Sequence, residues 1–363
     1  MFKREQIDRP LGSLVPPMLS SKGPDKLDRS VRKNALSLSV IIPTKNRPND
    51  LANTLDTLFR QTVLPQQLII VDQSEGSESR TRFGLMFGAC SARVRETIQI
   101  VYIWDSNISG LAAARNISMK LAIGDVWLFL DDDVDLESNF IAELLKVYID
   151  FPEVGGVSGI ITNYQPPELP FRIWTRLFVR GPFHDERQPI YWNAERLRES
   201  NPIPVRKLGG GLMSYRAEEM SGIVFDENLR GVSDGEDWDF GERMSRKTSL
   251  VIAPRARLKH LQSSIGRSQD HYLWRAAKAT HFLYWKNWNH GIKNRLCFAW
   301  LNLGYILLAA LASIKRGSPQ PFRAFVNAIR QYRREFKVDR NRQVEARICD
   351  VPSNSLESRG EPT

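Results

Sequence analysis

The stretch Val126-Trp127-Leu128-Phe129-Leu130-Asp131-Asp132-Asp133 decides the fold that we predict for this chain. Its five consecutive apolar residues are typical of a strand that is buried on both faces. Because side chains alternate along an extended segment, we expect Asp131 and Asp133 to point to one side and Asp132 to the other. Two carboxylates at one strand end repel each other unless a cation or hydrogen-bond donors lie between them, and such oxygen ligands suit Mg²⁺ or Mn²⁺. The alternative is a solvated acidic loop that precedes a helix starting at Leu136.

Strands alternate with helices on the N-terminal side of this stretch. Apolar or alternating runs at 36–42, 68–71 and 98–103 predict strands, and helical spacing follows Pro48 and Gly110, with a weaker helix at 78–89. Short connections between alternating strands and helices predict a mainly parallel sheet covered by helices on both faces. In such sheets, ligands bind at the carboxyl ends of the strands.

Polar side chains follow three of the predicted strands, and an arginine lies in the first turns of the helix that Gly110 opens. These residues are Thr44, Asn46 and Arg47 after the first strand, Asp72 after the second, the acidic triplet after the fourth, and Arg115. Because these strand ends converge on one edge of a parallel sheet, the pattern predicts a site for a phosphorylated nucleotide.

Four short motifs together resemble the family 2 glycosyltransferases. They are 40–47 (Val-Ile-Ile-Pro-Thr-Lys-Asn-Arg), 70–72 (Ile-Val-Asp), 110–116 (Gly-Leu-Ala-Ala-Ala-Arg-Asn) and 129–133 (Phe-Leu-Asp-Asp-Asp). A fifth, 235–240 (Gly-Glu-Asp-Trp-Asp-Phe), extends the resemblance to roughly residues 38–262. The resemblance implies an inverting enzyme with a GT-A fold, a Rossmann-like mixed, mainly parallel α/β sheet flanked by helices.

The same resemblance implies a donor site that binds a nucleotide diphospho-sugar with Mg²⁺ or Mn²⁺. It assigns the cation to Asp133, with His260 as a third ligand found in some GT-A enzymes. It assigns the nucleotide-sugar to Pro43, Thr44, Asn46, Arg47, Asp72, Gly110, Arg115, Asp131 and Asp132. The plainer alternatives are a turn-forming aspartate for Asp72, a surface salt bridge for Arg115 and a structural histidine for His260.

The motif at 235–240 predicts the acceptor side. An inverting transfer needs a carboxylate to deprotonate the acceptor hydroxyl, and the resemblance assigns this role to Asp237. Glu236 would orient the acceptor, Trp238 would offer a sugar-stacking face, and Gly210 and Gly211 would lie on an acceptor-facing strand. The alternatives are acidic residues that only favour a helix N-terminus, and a tight turn at the glycines. For Asp239 and Arg243, four residues apart, we expect a surface pair.

Composition divides the chain into four parts. We predict a disordered lead at 1–35, the catalytic domain at 36–265, a basic, aromatic helical region at 266–340 and a disordered tail at 341–363. Residues 163–205, rich in Pro, Trp, Phe and Arg without clear period, are predicted to be an irregular insertion that covers the acceptor or faces a membrane.

The net charge of +10 indicates an anionic partner, and three cysteines without pairing fit a reducing compartment. The apolar run at 296–314 just reaches the length of a membrane span, and its basic and aromatic flanks favour a helix lying in the interface of an anionic membrane. A buried helix of a small bundle is the alternative. These features predict a cytoplasmic protein peripheral to the inner face of the cell membrane.

The predicted function is transfer of one sugar from a nucleotide diphospho-sugar to a saccharide or lipid-linked saccharide in polysaccharide biosynthesis. A nucleotidyltransferase is the rival enzyme, but the loop at 43–47 lacks the glycines expected of one. A basic, non-catalytic protein that binds membrane or nucleic acid is the rival of another class. Basic residues beside tryptophans fit lipid better, so we expect no nucleic-acid partner.

Overall fold

The computed structural model describes residues 36–192, 200–229, 235–263 and 272–349. Within these ranges, nine strands form one mixed sheet. The strands are β1 Leu38–Thr44, β2 Gln67–Asp72, β3 Gln99–Trp104, β4 Val126–Leu130, β5 Val134–Leu136, β6 Val154–Ile161, β7 Ile203–Val205, β8 Leu212–Arg216 and β9 Ser249–His260. The helices are α1 Pro48–Phe59, α2 Glu78–Ala89, α3 Ala92–Thr97, α4 Leu111–Met119, α5 Phe140–Asp150, α6 Leu169–Phe178, α7 Arg187–Tyr191, α8 Glu236–Met244, α9 Tyr272–Asn287, α10 Ile292–Arg316 and α11 Gln320–Cys349.

The strand order is β3-β2-β1-β4-β8-β6-β9-β5, and β7 pairs with β9. Strands β1 to β4 are parallel to one another, as the alternation of strands and helices predicts. Strand β8 runs antiparallel between β4 and β6, which makes the sheet mixed. All residues of β1 and β2 are buried, because helices cover both faces of the sheet there.

The acidic triplet is followed by a short strand, so the helix predicted from Leu136 begins later, at Phe140. Strand β5 pairs antiparallel with the end of β9, and this pairing sets Val134 opposite His260. The solvated-loop alternative is therefore wrong, because backbone pairing fixes the residues that follow the triplet. The same pairing brings His260 to the carboxyl end of β4.

The insertion at 163–205 is more regular than its composition suggests. Helix α6 packs against α10, where a side chain added at Gly304 would lie 2.5 Å from Phe178. The Trp174 indole donates a hydrogen bond to the Gly304 carbonyl (3.0 Å), and the Trp300 indole donates one to the Leu177 carbonyl (2.8 Å). Trp174 and Phe178 of the insertion therefore pack α6 against α10.

The helical C-terminal region packs on the catalytic domain through an aromatic cluster. Its buried members are Phe183, Leu283, Tyr284, Trp288 and Leu301. Helix α11 extends to Cys349, beyond the boundary at 340 that the sequence predicts. The predicted disordered lead 1–35, and residues 350–363 of the predicted disordered tail 341–363, lie outside the described residues.

Candidate active site

Three potential cation ligands meet at the carboxyl end of β4. The His260 Nε2 atom lies 2.9 Å from Asp133 Oδ1 and 3.7 Å from Asp131 Oδ2. One ligand atom from each of the three residues lies within 4.8 Å of the others. The Ser263 amide donates a hydrogen bond to Asp133 Oδ2 (2.9 Å), which fixes this fully buried carboxylate. Two carboxylates and an imidazole suit Mn²⁺, so the donor set fits the divalent cation that the sequence predicts.

Asp132 has hydrogen-bond partners outside the cluster of Asp131, Asp133 and His260. Its carboxylate accepts hydrogen bonds from Thr44 Oγ1 (2.7 Å) and from the Arg47 guanidinium (3.0 Å). Burial raises the pKa of Asp132 to about 6, although the Thr44 hydroxyl and the Arg47 charge act in the opposite direction. Through these hydrogen bonds, Asp132 connects the end of β1 and the loop after it to the end of β4.

The loop after β1 is held to the end of β2. Asn46 adopts a left-handed backbone with φ of 56°, and its amide donates to Ser74 Oγ (2.7 Å). Pro43 and Thr44 are the last two residues of β1, in register with Val71 and Asp72. Thus Pro43, Thr44, Asn46 and Arg47 border the edge at which the acidic triplet lies.

Asp72 has the geometry of the turn-forming alternative. Its carboxylate is fully buried and accepts the Tyr102 hydroxyl (2.8 Å) and the Ser74 amide (3.0 Å). Both oxygens therefore already hold a protein partner. Nearby, the amide of Gly110 donates to the Gln73 side chain (3.0 Å), which fixes the entry to α4 beside the end of β2.

Arg115 joins the two predicted chemical centres and is not a surface residue. It is 1 % exposed, and its guanidinium donates to Glu236 Oε1 (3.0 Å) and to the Gly210 carbonyl (2.8 Å). It also lies 3.9 Å from Asp131 Oδ1. The surface salt bridge considered from sequence is therefore wrong. The buried Arg115 guanidinium lies between Asp131, which follows β4, and Glu236 of α8. It therefore links the predicted donor and acceptor sites.

The buried carboxylate of Glu236 is hydrogen-bonded through only one of its two oxygens, the one that contacts Arg115. Its Oε2 atom is buried and has no hydrogen-bond partner among the described residues. Burial, followed by the charge of neighbouring Asp237, raises the pKa of Glu236 to about 7 against the opposing charge of Arg115. The Glu236 carboxyl thus takes up a proton far more readily than an exposed glutamate does.

Asp237 lies in the first turn of α8, and a glycine turn holds it beside the triplet. Gly235 precedes the helix with a left-handed φ of 90°, and the Gly210 amide donates to Asp237 Oδ2 (2.9 Å). The next residue, Gly211, leaves room for Asp131, because a Cβ there would lie 2.2 Å from its Oδ2 atom. The two glycines therefore form a tight turn that also brings the backbone between the two carboxylates.

Two cationic side chains lie near the ring of Trp238, and the sequence did not indicate these contacts. The Lys207 ammonium lies 4.4 Å from the ring centroid, so a cation already occupies a face predicted to stack on sugar. The Arg187 guanidinium lies 5.8 Å from the same centroid, held by two hydrogen bonds of 2.9 Å to Asp185. Burial lowers the pKa of Lys207 despite the nearby Asp185 and Glu242. Spacing gave no signal for these residues, because Asp185 and Arg187 come from the aperiodic insertion.

The predicted pair of Asp239 and Arg243 forms, but Asp239 lies at a buried junction of several side chains and not at the surface. The Asp239 carboxylate is fully buried and accepts hydrogen bonds from Arg243 (2.6 Å), Lys286 (3.0 Å) and Asn287 (2.9 Å). Lys286 and Asn287 end α9. The junction therefore fixes the helix that carries Asp237 against the C-terminal region.

Comparison with known proteins identifies relatives of this chain. The model of the glycosyl transferase family 2 matches residues 39–206. The validoxylamine A glucosyltransferase of Streptomyces hygroscopicus subsp. limoneus is 26% identical over 279 residues, covering 70% of this chain. The chain spans only 60% of that relative. The uncharacterized glycosyltransferase YwdF of Bacillus subtilis (strain 168) is 30% identical over 257 residues, covering 71% of this chain and 85% of YwdF.

Solved structures support the fold. The crystal structure of S. aureus TarS 1-349 superposes with a TM-score of 0.51 at 14% identity, covering 83% of this chain and 81% of that one. At that identity the likeness concerns the fold alone, and it agrees with the predicted GT-A architecture of a mixed, mainly parallel sheet flanked by helices. Given the match to the model of this family and the identity with YwdF over most of its length, the chain belongs to glycosyl transferase family 2.

Proposed function

We propose that this protein is an inverting glycosyltransferase that moves one sugar from a nucleotide diphospho-sugar to a hydroxyl of a saccharide or lipid-linked saccharide. The main observation behind the proposal is that one turn, at Gly210 and Gly211, contacts both the cation-ligand cluster and Asp237. Gly210 donates to Asp237, and Gly211 makes room for Asp131 of the cation-ligand cluster. A donor activated at one centre and an acceptor at the other would meet across this turn. Membership of family 2 favours this activity over a nucleotidyltransferase.

The donor side would be formed by the strand ends. Asp131, Asp133 and His260 would hold the divalent cation, which when bound neutralises negative charge on a leaving nucleotide diphosphate. Arg47 and Thr44 donate hydrogen bonds to Asp132 at the same strand end. The loop 43–47 would therefore lie beside the bound nucleoside.

The acceptor side would be formed by α8 and the glycine turn. Asp237 would act as the general base that takes the proton of the acceptor hydroxyl as the hydroxyl attacks the sugar carbon. The Gly210 amide holds one of its oxygens, leaving the other for the acceptor. Because attack and departure take place on opposite faces of the sugar, the transfer would invert its configuration.

We also infer that the protein acts at the inner face of the cell membrane. Helix α10 is long and apolar enough to cross a membrane, but one of its faces packs on the protein through Leu301, Gly304 and Ala309. The opposite face exposes apolar residues, namely Ile292, Leu296, Trp300, Leu303, Leu307, Leu311 and Ile314. Basic residues begin and end this helix, as in helices that lie in an anionic interface. Flotation with anionic vesicles tests this; equal recovery with neutral vesicles would contradict it.

The decisive experiment for the donor site is hydrolysis of a panel of UDP-, GDP- and dTDP-sugars with and without Mn²⁺. We expect slow, Mn²⁺-dependent release of one nucleotide diphosphate, lost in Asp133→Ala, because that variant removes a buried ligand of the cluster. The exposed pair of Asp135 and Lys259 offers a control, since Asp135→Ala removes a nearby carboxylate outside the cluster. Absence of release and of Mn²⁺-dependent nucleotide binding across the panel would overturn the proposed function.

A further inference from the structure

A cavity of about 290 Å³ lies between helices α6, α9 and α10 and the first turn of α8. This volume is just below the range of about 300–1,000 Å³ that small-molecule sites occupy. Its wall is mostly aromatic and aliphatic, with Phe171, Trp174, Phe183, Leu283, Leu301 and Tyr305 among the lining residues. Asp237 and Trp238 form part of the same wall. The proposed catalytic base therefore borders an apolar space enclosed mainly by the C-terminal helices and the insertion.

One polar atom of the cavity wall has no protein partner. Thr175 on α6 is 5 % exposed, and its Oγ1 atom makes no hydrogen bond within the described residues. Two neighbouring polar groups are already engaged: Trp174 donates to the Gly304 carbonyl, and Tyr305 bonds to Thr280 (3.2 Å). A buried hydroxyl without a hydrogen-bond partner carries a free-energy cost. A bound molecule with an oxygen atom at this depth would remove that cost.

We propose that this cavity receives the aglycone of the acceptor, an aliphatic chain attached through an oxygen to the accepting sugar. This inference rests on the proposed function, because it takes Asp237 as the base that contacts the accepting hydroxyl. The sugar would lie at Asp237, the linking oxygen would accept a hydrogen bond from Thr175, and the chain would contact the aromatic wall. The cavity thereby selects amphiphilic acceptors over free saccharides.

The outer faces of the enclosing helices agree with a chain that arrives from a lipid surface. Leu169, Ile173 and Leu177 of α6 are exposed, as is the apolar face of α10 described above. The same two helices thus present apolar side chains both to the cavity and to the outside. A saccharide without a chain would leave this apolar wall in contact with water, which is unfavourable.

Binding of alkyl glycosides below their micellar concentration tests the proposal. Trp174 and Trp238 line the cavity, so a ligand entering it will change the tryptophan fluorescence. We expect octyl β-glucoside to give a saturable change and methyl β-glucoside to bind at least tenfold more weakly. In Ala279→Phe, which fills the cavity, the affinity for octyl β-glucoside should fall at least tenfold. The exposed Ala89, changed to Phe on α2, is the matched control and should bind as the wild type does.

A second variant keeps the test independent of any folding defect in Ala279→Phe. Thr175→Val preserves the volume and removes the unpartnered hydroxyl, so we expect a higher melting temperature of the free protein and severalfold weaker octyl glucoside binding. Equal binding of the two glucosides by the wild type, or undiminished octyl glucoside binding in both cavity variants, would overturn the proposal. Mn²⁺-dependent nucleotide binding by the wild type is measured in parallel. Its presence alongside a negative glucoside result would reject the aglycone site alone, and its absence would reject the proposed function.

Discussion

Buried polar groups are hydrogen-bonded differently in two regions of this protein. One is the proposed donor edge, at the ends of β1, β4 and β9, and the other is the proposed acceptor side, at the start of α8 and the helices packed beside it. At the donor edge, Asp132 accepts hydrogen bonds from Thr44 and Arg47, and Asp133 accepts one from the Ser263 amide and lies 2.9 Å from His260 Nε2. On the acceptor side, Glu236 Oε2 and Thr175 Oγ1 are buried and lack a partner among the described residues. Buried atoms without a partner favour a ligand that supplies the missing hydrogen bonds.

The difference follows from the elements that build each region. The donor edge consists of the ends of β1, β4 and β9, whose positions are fixed by ladders of backbone hydrogen bonds. The acceptor side consists of a helix N-terminus and the side-chain packing of α6, α9 and α10. We therefore expect substitutions to separate the two regions, and three predictions test this separation from the largest effect to the smallest.

The largest effect is expected for Asp237→Asn. The amide keeps the shape of the side chain and its contact with the Gly210 amide, but it cannot take a proton. We expect kcat for sugar transfer to fall by about 10²–10⁴-fold, the usual contribution of a general base. Mn²⁺-dependent nucleotide binding, measured by calorimetry, should stay unchanged. Transfer near the wild-type rate would remove Asp237 from the mechanism.

The second prediction concerns Arg115, which links the two regions. In Arg115→Met the Glu236 carboxylate loses its buried counter-ion, and we expect the free energy of unfolding to fall by about 3–5 kcal/mol. The double variant Arg115→Met/Glu236→Gln should recover much of that loss, since no uncompensated charge remains. Arg60→Met is the control, because Arg60 pairs with Asp56 at the surface and should change stability by less than about 1 kcal/mol. Equal losses in the two arginine variants, measured by urea denaturation, would contradict the linking role.

The smallest effect is a pH dependence of stability that Glu236 confers. Its pKa in the folded protein is about 7, above the ordinary glutamate value of 4.5, so the folded state binds the proton more tightly than the unfolded state does. The resulting stabilisation is fully present below pH 4.5 and is lost as the pH rises through 7. We expect the melting temperature of the wild type, relative to Glu236→Gln, to fall by a few degrees between these two values and to level off above them. The exposed Glu75, changed to Gln, is the control, and parallel profiles for the wild type and Glu236→Gln would refute the prediction.

Much of the donor edge was predictable because its signals are local. Alternation of side chains along a strand predicted Asp131 and Asp133 on one side and Asp132 on the other; Asp131 and Asp133 do lie together beside His260, and Asp132 bonds to Thr44 and Arg47. Strand ends followed by polar residues placed the loop 43–47 next to the triplet. The carboxylate of Asp72 has a contact that such reasoning did not predict, because the hydroxyl of the half-buried Tyr102 on β3 bonds to it.

The acceptor side was less predictable because distant segments build it. Asp239 looked like a surface residue paired with Arg243, yet α9 buries it and adds Lys286 and Asn287 as partners. Arg187 reaches Trp238 from an insertion that has no hydrophobic period, and Lys207 reaches it from just beyond that insertion. Spacing along a helix reports neighbours three or four residues away, and it says nothing about what packs on the helix from elsewhere.

The sequence by itself determined the alternation of strands and helices from β1 to β4 and the polar residues that follow those strands, and the resemblance of its motifs indicated the family. The pattern of strands and helices depends on the alternation of side chains and on short connections, which act over a few residues. Only the tertiary structure decided that β5 pairs with β9 to bring His260 to Asp133, that Arg115 is a buried link, and that a cavity borders Asp237. Those outcomes depend on contacts between segments far apart in the chain, whose geometry is set by packing of the whole domain.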